Sequence, residues 1–129
     1  MINLEGTWAS HYEYGQGPDN TPQFSEHTLR VNFDNDTGRW VGGSWAGEDF
    51  PAEELAIIAY QEGNEVSGEW RERTDPNGYY RGREFSGVFL LVLNEAGTEM
   101  NGKWLGVSGS TGEVKAGAWT LKKLVDRPE

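Results

Sequence analysis

Thr98-Glu99-Met100-Asn101-Gly102-Lys103-Trp104-Leu105-Gly106-Val107-Ser108-Gly109-Ser110-Thr111-Gly112-Glu113-Val114-Lys115-Ala116-Gly117-Ala118-Trp119 carries a strand, a turn, a second strand and two copies of one motif. The motif is a glycine followed two residues later by tryptophan, and it recurs through the chain. All six tryptophans have it: Gly6-Thr7-Trp8, Gly38-Arg39-Trp40, Gly43-Ser44-Trp45, Gly68-Glu69-Trp70, Gly102-Lys103-Trp104 and Gly117-Ala118-Trp119. Gly87-Val88-Phe89 is a seventh, conservative copy. A spacing of two puts both residues on one face of a strand, because side chains alternate. A glycine beside an inward ring suits a tightly curved sheet, the small residue letting the strand coil and the ring filling the space it leaves. The repeat therefore identifies an architecture, not a ligand.

Turn signals divide the remainder. Asn35-Asp36-Thr37-Gly38, Glu62-Gly63-Asn64, Asp75-Pro76-Asn77-Gly78, Asn94-Glu95-Ala96-Gly97 and Ser108-Gly109-Ser110-Thr111-Gly112 all favour reversals. Between them eight strands are expected, at 5–14, 24–34, 38–46, 54–62, 65–74, 79–93, 98–107 and 113–124. Pro51-Ala52-Glu53-Glu54-Leu55-Ala56 alone reads as helix, and Ile57-Ile58 returns to strand. Short links between consecutive strands predict an all-β fold, a single eight-stranded antiparallel up-and-down β-barrel over residues 1–129. A sandwich of two sheets is the alternative.

Composition bounds the function. The 129 residues suit one domain, and a formal net charge of −10 opposes binding to a nucleic acid polymer. The absence of cysteine excludes disulfides, thiol nucleophiles and cysteine-ligated metals. No apolar run reaches the roughly 18–20 residues of a membrane helix, and Met1-Ile2-Asn3-Leu4-Glu5 does not read as a signal peptide, so no membrane contact and a cytoplasmic location are expected.

If the glycine-and-ring face points inward, the inward set sorts by end. Tyr12, Tyr14, His27, Glu72, Thr74, Tyr79, Arg81, Arg83 and Ser108 fall at the mouth where strands 1, 3, 5 and 7 finish. Val31, Phe33, Val66, Phe89, Leu91, Met100 and Leu121 fall at the other end. The longer connections, 15–23 and 47–53, also open at the polar mouth, as expected of a small-molecule site. On neighbouring strands Glu72 faces Arg81 or Arg83. Either they close the barrel end as an ion pair, or one guanidinium is spare for an anionic or carbonyl-rich ligand, with Trp45, Trp70 or Trp104 stacking on a flat ring. Trp40 and Trp45 have opposite parity, which calls for a bulge at Gly42-Gly43 or an outward Trp40.

Signals for catalysis are few. His11 and His27 face opposite sides of their sheet, Gly109-Ser110-Thr111-Gly112 is a turn without a following helix, and no phosphate-cradling loop occurs. Glu48, Asp49, Glu53 and Glu54 match no calcium-loop spacing. No enzyme activity, catalytic residue, metal or cofactor is expected. An acid–base role for Glu72 with a neighbouring tyrosine is the minority alternative.

Three resemblances follow, two from these residues and one from the outline of the fold. Gly68-Glu69-Trp70-Arg71-Glu72-Arg73-Thr74-Asp75-Pro76-Asn77-Gly78-Tyr79-Tyr80-Arg81-Gly82, Phe85-Ser86-Gly87 and Met100-Asn101-Gly102-Lys103-Trp104-Leu105-Gly106 resemble a small β-rich domain of calycin or lipocalin type. Such a domain forms the C-terminal, sensor-like part of actinobacterial helix-turn-helix regulators, and Gly6-Thr7-Trp8-Ala9-Ser10-His11-Tyr12-Glu13-Tyr14 fits its opening. In outline the chain is also similar to the cyclic-nucleotide-binding β-barrel of CBASS antiphage effectors. Gly6-Thr7-Trp8, and Trp104-Leu105-Gly106-Val107-Ser108-Gly109-Ser110 through Trp119, resemble the opening and closing strands of avidins. That likeness implies biotin contacts near Ser10 and Tyr14, where hydroxyls stand.

The reading is a non-enzymatic barrel whose mouth takes a nucleotide-like or other aromatic, partly anionic small molecule, as a bacterial sensor or sequestering protein. Its rivals are an avidin-like biotin binder and a filled barrel that acts as an interaction or homo-oligomer module. For the last, Val88, Leu90 and Val92 with Ile58 and Tyr60 would supply an interface.

Overall fold

Eight strands run in chain order as β1 (Gly6–Gln16), β2 (Pro22–Asp34), β3 (Arg39–Ser44), β4 (Glu54–Glu62), β5 (Glu65–Arg73), β6 (Glu84–Leu93), β7 (Glu99–Val107) and β8 (Val114–Lys123). The computed structural model describes residues 3–16, 22–44, 54–73, 84–107 and 112–124, the side chains of 14–16, 22–25 and 54 excepted. Each strand pairs antiparallel with the next, and β8 returns to pair with β1, so the sheet closes as a barrel in the order β1-β2-β3-β4-β5-β6-β7-β8. Closure leaves no open sheet edge. The expected and observed strand bounds agree to within two residues where they are described; the expected ends of strand 3 (45–46) and strand 5 (74) and the expected start of strand 6 (79–83) lie outside the described residues. Of the helix-like stretch, residues 51–53 lie outside the described residues, and Glu54, Leu55 and Ala56 are strand; β-branched Ile57 and Ile58 and pairing with β5, joined by β3 from Ala56, outweigh local helix preference.

Turns form at three of the sequence signals, 35–38, 62–64 and 94–97, while the signals at 75–78 and 108–111 lie outside the described residues. At the β6–β7 reversal the Asn94 side-chain oxygen accepts the backbone N–H groups of Thr98 (2.9 Å) and Glu99 (3.1 Å), as an asparagine at a turn entry does.

The interior is graded from one end to the other. Along β6 the inward residues pass from half-buried Phe85 and Gly87 to buried Phe89, Leu91 and Leu93. β5 descends the opposite way, from buried Val66 to half-buried Trp70 and Glu72. The end carrying the β2–β3, β4–β5 and β6–β7 turns is therefore packed apolar, and at the open end, which carries Tyr12, His27 and Glu72, the described inward residues are less completely buried. Leu4 belongs to the packed end's core although it precedes β1, and its carbonyl accepts the Trp8 indole N–H at 2.8 Å. Burying a Leu or Val side chain of this core contributes about 1.5–3 kcal/mol.

Three expectations need correction. β3 pairs with β2 and β4 in unbroken register through Gly42 and Gly43, so there is no bulge. Trp40 is buried, and its indole donates to the Gln61 side-chain oxygen at 3.2 Å. Phe33, expected inside, is 43% exposed and lies edge-on against Trp40 at 5.0 Å. Being the penultimate residue of β2, it covers the rim of the packed end instead of entering it.

The tryptophan–glycine pairs also work differently from the expectation. The Trp70 and Trp104 rings do not fill the space left by the glycines of their own motifs, Gly68 and Gly102. Each fills the space at a glycine on the next strand. Trp70 of β5 lies over Gly87 of β6, where an added Cβ would sit 2.7 Å from the indole Nε1. It reaches on to Gly106 of β7 and donates to the Leu105 carbonyl at 3.1 Å. Trp104 of β7 repeats the arrangement over Gly117 of β8 and donates to the Glu13 carbonyl of β1 at 2.6 Å. Each indole thus spans three strands, and only glycine leaves room for it at the middle one.

Candidate functional site

Three side chains from three strands meet inside the open end: Tyr12 of β1, His27 of β2 and Glu72 of β5. β1 and β5 stand opposite each other in an eight-stranded barrel, with three strands between them on either side. The Tyr12 hydroxyl, which donates to the Glu72 carboxylate, therefore forms a polar bar across the bore. Local pattern explains the aim of each residue. Tyr12 shares the inward parity of Trp8 and Ser10, His27 that of Leu29 and Val31, and Glu72 that of Val66 and Trp70.

The His27 ring stacks on Tyr12 with centroids 5.8 Å apart and planes 6° from parallel. Its Nε2 lies 3.2 Å from the Tyr12 oxygen and 3.7 Å from Glu72 Oε2. The Tyr12 oxygen thus lies within hydrogen-bond distance of both groups, and the imidazole tautomer sets which of Tyr12 and His27 donates to the other. The side chains of His27 and Glu72 are 7% and 17% exposed. A carboxylate withdrawn from water this far needs such donors, because an uncompensated buried charge is costly. Among the described residues no buried side-chain nitrogen or oxygen lacks a partner.

Beside the bar stand the half-buried indoles of Trp70 and Trp104, edge to face at 5.7 Å and 82°. Tyr12 also meets the edge of Trp119 at 6.2 Å. Trp119 donates to the Ser10 hydroxyl at 2.7 Å, so Ser10, a candidate biotin contact, has its oxygen engaged in the core. The arrangement offers a carboxylate that accepts N–H or O–H donors, an imidazole and phenol that donate or accept, and aromatic faces and edges for a flat ring.

Some of the residues expected at the mouth are brought together. Tyr12, His27, Glu72, Trp70 and Trp104 come together at the open end. The β1–β2 ladder shifts by one residue between Glu13 and Gly15, so the alternation that pointed Tyr14 inward is interrupted at that residue, whose side chain is not described. Trp45, Thr74, Tyr79, Arg81, Arg83 and Ser108 lie outside the described residues, and with them the expected pairing of Glu72 with an arginine. The partnership of Glu72 with Tyr12 and His27 was not legible in the sequence, since neighbouring strands were the only pairings that strand order suggested. No group of three or more His, Asp or Glu side chains among the described residues could hold a metal ion.

No protein-family model, curated protein or solved structure matches the chain. The functional reading therefore stands on the barrel and its open end. A second concavity, of about 720 Å³, runs over β1, β2, β7 and β8 past His11, Glu26, Thr28, Asn101, Thr120 and Lys122. Its lining includes the His11 and His27 imidazoles but no Trp, Tyr or Phe.

Proposed function

We propose that this protein is a non-enzymatic binding barrel whose open end takes a small, flat aromatic molecule with a hydrogen-bonding edge and a partly anionic group. A nucleotide-like compound fits that description best. The observation that supports it is the Tyr12–Glu72 bar with His27 stacked on it, lying beside two half-buried indoles at the less packed end of the bore. A carboxylate accepts the N–H edge of a heteroaromatic ring, and indoles stack on or edge against its face. Arg81 and Arg83 supply the charge for the anionic group, acting locally against a net charge of −10. In a cell such a barrel would sense or sequester its ligand.

The test is native mass spectrometry with a thermal-shift panel of nucleotides, cyclic dinucleotides, biotin and fatty acids. A ligand at a hundredfold excess over Kd stabilises the folded protein by about 2.7 kcal/mol, which raises Tm visibly. A shift with nucleotides that is lost in Glu72→Gln supports the reading, whereas a shift with biotin alone would transfer it to the avidin-like alternative. No shift and no retained mass across the panel would refute it.

A further inference from the structure

The outer face of β6 to β8 is apolar over three strands, and we propose that it joins two copies of this chain into a dimer. Val88 (49% exposed), Leu90 (53%) and Val92 (49%) on β6, Leu105 (44%) and Val107 (56%) on β7 and Val114 (69%) on β8 all face outward. The register makes them one patch. Val88 pairs with Leu105 and Leu105 with Ala116; Leu90 pairs with Lys103 and Lys103 with Ala118; Val107 pairs with Val114. Six large aliphatic side chains at about half exposure form a patch of several hundred Å², at or above the 300–600 Å² of the largest patch on a typical monomer. A stable dimer covers roughly 800 Å² per partner, so this patch forms the apolar centre and the polar rows beside it complete the contact.

Charge selects the occupant and its orientation. Lys103 stands exposed within the patch, and the adjoining strand β5 presents exposed Glu65 and Glu69, which pair with Val92 and Val88. A two-fold axis parallel to β6 lays β5 of each copy over β7 of the other. Val88 and Leu90 then meet their own counterparts, and Lys103 meets the row of Glu65, Ser67 and Glu69 on the partner copy. The same axis placed along β7 would instead oppose Lys103 to Lys103. Of these two arrangements the first sets Lys103 against carboxylates and the second sets it against itself, so charge favours the axis along β6.

Light scattering after size exclusion should report twice the 14.4 kDa chain mass for the full protein. Leu90→Glu should return the single mass with an unchanged circular dichroism spectrum. Lys103→Glu should weaken the dimer, and mixing it with a Glu65→Lys/Glu69→Lys variant should restore a mixed dimer visible in native mass spectrometry. A wild-type monomer overturns the proposal, also if it floats with anionic or neutral lipid vesicles, which would assign the patch to a membrane surface. A dimer indifferent to Leu90→Glu overturns it too, and mixed charge variants that fail to associate overturn the two-fold arrangement.

Discussion

The Trp104 indole donates to the Glu13 carbonyl across an intervening strand, and it can do so only because the residue beneath it, Gly117, has no side chain. The bond ties β7 to β1 over β8, at the seam where the barrel closes, one residue before the β1–β2 register shift. Gly117→Ala would bring a methyl group to 2.5 Å from the indole nitrogen and closer still to the Glu13 carbonyl. Overpacking of this kind costs about 1–3 kcal/mol, so chemical denaturation should show a lower midpoint with an unchanged slope. In a Trp104→Phe background the ring no longer lies in the way to the same extent, and part of the penalty should vanish. A double-mutant coupling of about 0.5–3 kcal/mol would establish the contact, and strict additivity would refute it.

Ser10→Ala should destabilise the fold by about 1–3 kcal/mol, because the Trp119 indole N–H is buried and its acceptor disappears. In Trp119→Phe, which removes the donor as well, the further loss from Ser10→Ala should be much smaller. Thermal unfolding of the two single variants and the double variant measures both.

At the open end, Tyr12→Phe removes the bar and should cost about 1–3 kcal/mol, the desolvation left on the Glu72 carboxylate. If the bar contacts the ligand, Tyr12→Phe and Glu72→Gln should both shrink a ligand-induced rise in Tm. Glu69→Gln, on the outer side of the same strand, should leave the rise intact. Arg81→Ala and Arg83→Ala should abolish ligand retention while leaving the circular dichroism spectrum unchanged; normal binding by both would remove the arginines from the site.

Leu4→Ala tests the plug ahead of β1. The side chain is 1% exposed within the core, and truncating such a leucine costs about 2–5 kcal/mol. The bond from Trp8 goes to the Leu4 backbone and persists, so the folded-state tryptophan emission should change little while Tm falls by several degrees. An unchanged Tm would place Leu4 outside the core.

Strand number, order and most strand bounds were legible in the sequence, because alternation and turn chemistry are local properties. Leu29 and Val31, or Phe89 and Leu91, announce their face by a period of two, and Asn94 announces its turn by a side chain that bonds the backbone a few residues on. The polar end was legible for the same reason: Tyr12, His27 and Glu72 each follow from the parity of their own strand. Only the tertiary structure decided who meets whom beyond consecutive strands of the chain. Tyr12 bonds Glu72 from the opposite wall, Trp70 crosses β6 to a carbonyl on β7, and Trp119 finds Ser10 on β1. These contacts depend on the stagger and radius of the closed sheet, which the chain acquires when β8 pairs with β1 and which no single strand encodes. The one-residue shift at Tyr14 has the same origin, since a ladder that must bend at its end inserts a residue and breaks the alternation that a sequence reading carries forward.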